Sequence, residues 1–512
     1  MQQLRVHRSG WIAAAAVVVL ALFLSTTGTF AQTPAPGGSV TIAFGTDALT
    51  LDPHNYKAAT DIVVSNLIFD TLVQFDLNLH IRPALALDWL ELSSTSWRFD
   101  LRQGVKFSDG TPFNAQALKT SMERAAAAPR SAGYVGVIAG VDVVNDYRVV
   151  IRLKRPFAPF LQNLAAPVAA VLSPSELRPG APDPNTHPVG TGPFMLADWT
   201  PNQQLRLVRN PTYWGRKPYL DQVVFRTISD DSTRYLAFRG GQVDVISNPP
   251  SNLAAQIRST SNLTLDISPS TRDVRVGFTV TKPPFDNVKV RQALAMAIDR
   301  GPIIKYVLNG LGREATCGMI PPEVMATMPC ADVPFDAAKA KQMLAEAGFP
   351  NGFTTEFWTP EGRYLGDRQI AETVQQQLQQ INVKADVKVM EWGAYLDALA
   401  RHQGPIFLIG WGWITGDPAQ ALAQNFQSHS AFNYWDYNNP DFDKMLTDAE
   451  ASDNPIARQK MYDQMESILL VRDTVAKEIY YTNNIYGVNK RVHGFHGTPV
   501  ELIDLSQTWV TK

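Results

Sequence analysis

Between Ile370 and Val389 the apolar residues change their spacing. Ile370, Val374, Leu378 and Ile381 recur at the interval that places them on one face of a helix, and directly afterwards Val383, Ala385, Val387 and Val389 alternate as in a strand with one buried face. A helix handing straight on to a strand is the repeating unit of an α/β layer. The same logic extends along the chain: Asp336 stands at the cap of a helix that runs through Met343 and Leu344 and ends at Gly348, and Asn114 to Ala128 has helical composition and stops before Pro129. Ser39–Phe44, Trp97–Arg102, Arg148–Leu153 and Val274–Val280 read as strands. At 512 residues the chain exceeds what one hydrophobic core can serve, so two large lobes and a smaller subdomain are expected, with the Pro-rich stretch from Arg178 to Pro188 as a subdomain border.

The N-terminus has the layout of a secretory signal. Arg5, His7 and Arg8 form a cationic start, Ile12 to Leu24 an unbroken apolar run, and Thr29-Phe30-Ala31 a small-x-small cleavage site, so the mature chain is expected to begin near Gln32. The alternative, an uncleaved anchor, has to reckon with a run shorter than the roughly 20 residues that span a bilayer. No cysteine adjoins the cleavage site to carry a lipid, which favours a periplasmic location. Cys317 and Cys330 are the only cysteines; in an oxidising compartment they can close a disulfide, the alternative being two free thiols. With 18% charged residues and a formal net charge of -2, nothing attracts nucleic acid.

Motifs for chemistry are missing. There is no Gly-x-Ser-x-Gly elbow, no phosphate loop ending in Gly-Lys-Ser/Thr and no His-Glu-x-x-His, so neither a catalytic residue nor a metal site nor a cofactor is expected; His493 and His496 lack an acidic or thiol partner nearby. The chain instead places aromatic residues in polar, Gly-rich surroundings, among them Tyr364, Trp392, Trp411 and Trp413. Rings with polar edges suit a pocket for a flexible polar ligand, although each is also an ordinary core residue. Ile406–Ile409 reads as a buried strand opening into the loop Gly410-Trp411-Gly412-Trp413-Ile414-Thr415-Gly416-Asp417, and strand carboxyl ends are where α/β sheets take ligands. Arg272, Arg275 and Arg363 supply planar forks that could hold a carboxylate.

These residues, read together with ordered segments elsewhere, resemble the bacterial extracellular solute-binding proteins of family 5, the dipeptide-, oligopeptide-, nickel- and glutathione-binding receptors of ABC importers. The segments are Leu51-Asp52-Pro53-His54, the block from Trp97 to Phe113, Gly190-Thr191-Gly192-Pro193-Phe194, Asn210 to Trp214, Gly241-Gln242-Val243-Asp244, Lys282-Pro283-Pro284-Phe285 and Leu344 to Pro350. The resemblance implies a non-enzymatic, monomeric receptor with a two-lobed α/β periplasmic-binding-protein fold, hinged, with an extra subdomain inserted in the first lobe. The implied order is a signal peptide at 1–31, first lobe at 32–80, inserted subdomain at 81–188, first lobe again at 189–272, second lobe at 273–483 and a return to the first lobe at 484–512. The implied ligand is a small peptide or peptide-like zwitterion, glutathione-like among the options, passed to membrane permease subunits. An oligosaccharide or metal chelate remains the alternative inside the family, and an exported peptide hydrolase the alternative outside it.

The resemblance also implies contacts. Asp47 and Tyr134 fall where relatives touch ligand from the first lobe, Arg275 where they place a pocket-facing side chain, and Arg363 with Tyr364 where dipeptide receptors hold a carboxylate. Those receptors carry an Asp three residues after the first tryptophan of the 411–417 loop to hold an ammonium group; here that position is Ile414. Either Asp417 takes over the role or the amine is held differently.

Overall fold

Two strands longer than their neighbours, Leu263–Phe278 and Ala476–Asn489, organise the molecule. In this computed structural model, which describes residues 33–315, 318–325 and 332–511, they run antiparallel at the centre of an eleven-stranded sheet. Their pairing has two stretches, Leu263–Pro269 against Asn489–Asn483 and Asp273–Gly277 against Tyr481–Ala476, separated by a register break. Pro269 has no N–H to give a ladder, and an irregularity there lets the pair change direction. Beyond the first stretch the sheet continues through Val245–Ser247, Ser39–Phe44, Gln222–Thr227, Gln204–Arg209 and Phe194–Thr200; beyond the second it continues through Ile406–Gly412, Thr354–Pro360 and Lys384–Met390. The molecule is thus mixed α/β in two halves joined by one strand pair. The Leu263–Phe278 strand begins well before the expected start at Val274, because Pro269 reads as a stop in sequence but sits at the register break.

One apolar cluster lies around Val40, Ile42, Val63, Phe194 and Val223; a larger one includes Val276, Phe357, Ile370, Val374 and Leu408 and runs on through Tyr56, Phe99 and Phe160. The predicted switch of period is realised as helix Asp367–Gln379 followed by strand Lys384–Met390, and Asp336 and Asn114 cap their helices by accepting from Lys339 N and Ala117 N, both at 2.9 Å. The Trp97–Phe113 block folds as the end of strand Ser96–Leu101 and a tight turn. Phe107 N donates to Thr111 O at 2.8 Å, and the buried Phe107 and Phe113 rings meet edge to face. That block carries core packing of a separate four-stranded sheet, Ala86–Ser93, Ser96–Leu101, Arg148–Leu153 and Ile138–Asn145 in spatial order. Among the described residues no helix is long and apolar enough to cross a membrane. Residues 1–31, Cys317 and Cys330 lie outside the described residues, so the signal and the disulfide have no structural account.

The Leu51–His54 segment also has a structural role. Asp52 receives Arg124, and His54, fully buried, donates from Nε2 to Ala170 O at 2.9 Å while its Nδ1 accepts from Arg124 at 2.8 Å. Both ring nitrogens are used in the neutral form. Burial, reinforced by the Arg124 charge, pushes the imidazole down to about 4. The unfolded chain therefore binds a proton that the fold refuses between pH 6.5 and 4, and stability present above about 6.5 is lost on acidification, by about 2–3 kcal/mol at pH 4.5. Urea unfolding at pH 7 and pH 4.5 should show the wild type losing that much more than His54→Gln. Equal losses in the two proteins would show that His54 does not take up a proton on unfolding.

Candidate ligand-binding cleft

The two halves meet over a cleft whose walls come from both. Contact is close enough at one point that a Cβ on Gly45 would stand 1.9 Å from the Gly362 carbonyl oxygen, so backbone touches backbone there. Behind this contact lie two adjoining compartments that share Arg272, Arg363, Tyr364 and Glu501.

Arg363 follows strand Thr354–Pro360, at a strand carboxyl end. Its backbone N–H and that of Tyr364 both donate to Asp367 Oδ2, at 2.9 and 3.2 Å, which fixes the loop to the start of the next helix. The Arg363 guanidinium lies over the rings of Tyr364 and Trp392, and its nearest carboxylate is Glu501 at 4.0 Å. It makes no hydrogen bond to any described residue. Tyr364 is locked in turn, its hydroxyl accepting from Gly410 N at 2.8 Å. Trp392 opens helix Trp392–Ala400 and meets Tyr364 edge-on; Trp411 meets Phe432 edge-on at 5.2 Å between centroids. Tyr134 reaches the cleft from the half opposite, where Tyr56 donates across it to Gln424 Oε1 at 3.0 Å.

Arg272 and Glu501 were the less obvious partners. Arg272 Nε donates to both Glu501 carboxylate oxygens, at 2.7 and 2.6 Å, and its Nη1 donates to Gly410 O at 3.0 Å. Burial opposes ionisation of Glu501, but Arg272 and then Arg363 outweigh it and hold the carboxyl below its usual range. Glu501 sits in a hairpin turn between His496–Gly497 and Ile503–Asp504 with φ of 60°, a conformation that such turns normally assign to glycine. A carboxylate kept in a strained backbone position inside a cleft points to a use for the carboxylate. No sequence pattern marks it.

Four expected contacts are placed elsewhere. Arg275 is fully buried behind the sheet, its Nε 2.7 Å from Asp273 and 3.4 Å from Glu478, with its guanidinium over Phe426 and Trp435. Side chains alternate along a strand, so Arg272 and Arg275 emerge on opposite faces and Arg272 takes the cleft. Trp413 is buried, donating from its indole nitrogen to Asp273 at 2.8 Å; strand Ile406–Gly412 extends further than expected, pairing Gly412 with Arg272, and puts Trp411 on the strand rather than in a loop. Asp417 caps helix Pro418–Phe426 through Ala419 N at 2.9 Å and is paired with Arg458 at 2.6 Å, which leaves it no part in the cleft. Asp47 lines a separate groove and accepts from Asn202 N at 2.7 Å and Trp199 Nε1 at 3.2 Å.

This chain is 32% identical to the glutathione-binding protein GsiB of Salmonella typhimurium over 444 residues, 84% of this chain and 86% of that one. Its fold matches the ABC transporter-associated periplasmic binding protein DppA from Helicobacter pylori in complex with peptide STSA, with TM-score 0.85 and 27% identity over 94% of this chain and 99% of that one. It also matches a dipeptide binding protein from Pseudoalteromonas in complex with Met-Leu, with TM-score 0.87 and 25% identity over 93% of this chain and 100% of that one. The model for bacterial extracellular solute-binding proteins, family 5 Middle, matches residues 80–433, and with the two-lobed fold and the cleft this establishes that the chain belongs to the family 5 bacterial extracellular solute-binding proteins.

Proposed function

We propose that this chain is the exported receptor of an ABC importer, that it closes on a peptide or peptide-like zwitterion, and that it presents the loaded, closed form to a membrane permease without chemically altering the ligand. The observation that carries the reading is Arg363, a guanidinium inside the cleft, held over two rings and not hydrogen-bonded to any described residue, with the Glu501 carboxylate 4.0 Å away. A guanidinium without a hydrogen-bonded partner among the described residues can take a ligand carboxylate through two parallel bonds, and a cleft that excludes water strengthens that contact. Tyr134, Tyr364, Trp392 and Trp411 supply the apolar wall. Hinging falls to the strand pair at its register break, with the first lobe formed by 32–80, 189–272 and 484–512, the inserted subdomain by 81–188 and the second lobe by 273–483. Signal cleavage near Ala31, a Cys317–Cys330 disulfide and a monomeric receptor belong to the same reading.

A thermal-shift screen of the chain from Gln32 onward against di- to pentapeptides, glutathione, oligosaccharides and nickel–histidine tests it. A peptide at a hundred times its dissociation constant should add about 2.7 kcal/mol of apparent stability. Stabilisation only by sugars or by the metal chelate would overturn the peptide class, and release of cleaved products from the peptides would overturn the receptor role.

A further inference from the structure

We infer that the contact between Gly45 and Gly362 is the stop that sets how far the two lobes close, and that the absence of a side chain at position 45 decides how firmly Arg363 is pressed onto a ligand. The inference rests on the receptor reading above and goes beyond it, naming a residue that governs closure without offering the ligand a side chain.

Both sides of the contact are braced. On the first-lobe side Gly45 follows strand Ser39–Phe44, and Phe44 O accepts from Ile228 N at 2.9 Å. The buried Arg234 donates to four carbonyls around this rim, those of Ile228, Ser229, Ser247 and Asn248, at 2.7 to 3.3 Å. On the second-lobe side Glu361 N donates to Met390 O at 3.1 Å, and Asp367 holds the N–H groups of Arg363 and Tyr364, so Gly362 stands between two fixed residues. Backbone held in this way has no rotamer to turn and meets the other lobe as a hard surface.

Gly45 does not occupy the left-handed region, so its own backbone accepts an alanine. Within its lobe the added Cβ would stand 3.1 Å from Arg234 Nη1, which has only to give a few tenths of an ångström. The facing carbonyl is the obstacle: the Cβ would lie 2.8 Å from the Gly362 carbonyl carbon and closer still to its oxygen. Clearing it requires the lobes to part by about 1 Å, and an added ångström takes a hydrogen bond of ordinary length out of range. Arg363 is the next residue of the same braced loop and moves back with Gly362. Gly362 is the poorer probe, since its φ of 72° disfavours a side chain whatever the state of the cleft. Gly133, in the inserted subdomain, is the contrast. It also faces the second lobe, but its added Cβ would meet the Gln424 side chain at 3.1 Å, and that flexible side chain can give way.

Binding kinetics, melting without ligand and small-angle scattering decide the matter, on the chain from Gln32 onward and on its Gly45→Ala and Gly133→Ala variants, with Ala-Phe, Phe-Ala and glutathione as probes. In Gly45→Ala the probe that wild type holds most tightly should associate within about threefold of the wild-type rate and dissociate at least about tenfold faster. The unliganded melting temperature should be unchanged, and the saturated protein should contract less than saturated wild type. Gly133→Ala should match wild type in all three. Dissociation from Gly45→Ala within about threefold of wild type overturns the inference and leaves the receptor reading standing. Faster dissociation with full contraction places the methyl against the ligand and overturns it too, and an unliganded melting temperature below that of Gly133→Ala makes Gly45 a packing residue of its own lobe instead. A wild type that binds without contracting has no closure to stop, and one that binds none of the three probes overturns the inference together with the reading beneath it.

Discussion

Arg363→Gln is expected to weaken binding of a carboxylate-bearing peptide at least about a hundredfold, or about 2.7 kcal/mol, while leaving the unliganded protein as stable as before. The loop is held at its base by Asp367 and the guanidinium is laid over Tyr364 and Trp392, so ordering it costs nothing further when a ligand arrives. Its side chain is only 13% exposed, which means that the charge has already left bulk water and gains strongly from a carboxylate presenting two oxygens. Removing it also relieves repulsion from Arg272, the neighbour that, with burial, lowers the Arg363 pKa. Calorimetry gives the affinity and a melting curve without ligand gives the stability. Arg363→Lys, which keeps the charge and loses the fork, should fall between the two. An affinity within threefold of wild type for the glutamine variant would remove Arg363 from the ligand contact.

Arg275→Met should behave in the opposite way. This arginine holds two carboxylates, Asp273 and Glu478, in a site with no solvent exposure, and its loss leaves both without a cation. Breaking a buried pair from one side costs about 3–5 kcal/mol. Burial, then the Asp273 charge, drives the Glu478 pKa well up, and Arg275 is the charge that pulls the other way. Urea unfolding should report the loss, and the fraction still folded should bind ligand with the affinity of the wild type. Reduced affinity with unchanged stability would instead make Arg275 the ligand clamp that the family resemblance implies. Arg275 and Arg363 thus separate the roles of a buried structural arginine and a cleft arginine by measurement.

Much of the architecture was legible along the chain because its causes are local. The spacing of Ile370, Val374, Leu378 and Ile381 and the alternation that follows specify a helix and a strand through contacts over a few residues, and the caps at Asn114 and Asp336 act over one turn. Arg363, Tyr364 and Trp392 line the cleft as expected for a similar reason: each lies next to a strand end or helix start that periodicity locates. The misplacements share a cause too. Asp417 precedes Pro418 at a helix start, so its cap and its pairing with Arg458 use the carboxylate before any ligand could. Trp413 gives its N–H to Asp273, a residue 140 positions away.

The sequence by itself determined the elements, the α/β class and the family, because propensity, period and capping are properties of neighbours in the chain. The tertiary structure alone decided which charges face the cleft. Arg272 and Arg275 are three residues apart on one strand, and the pleat sends one to the cleft and the other to the core. The partner that commits Arg272 is Glu501, 229 residues further on, brought there by a hairpin turn that no local pattern connects to that strand. A charged side chain becomes a site or a structural tie according to the partner the fold delivers, and that delivery is a long-range event.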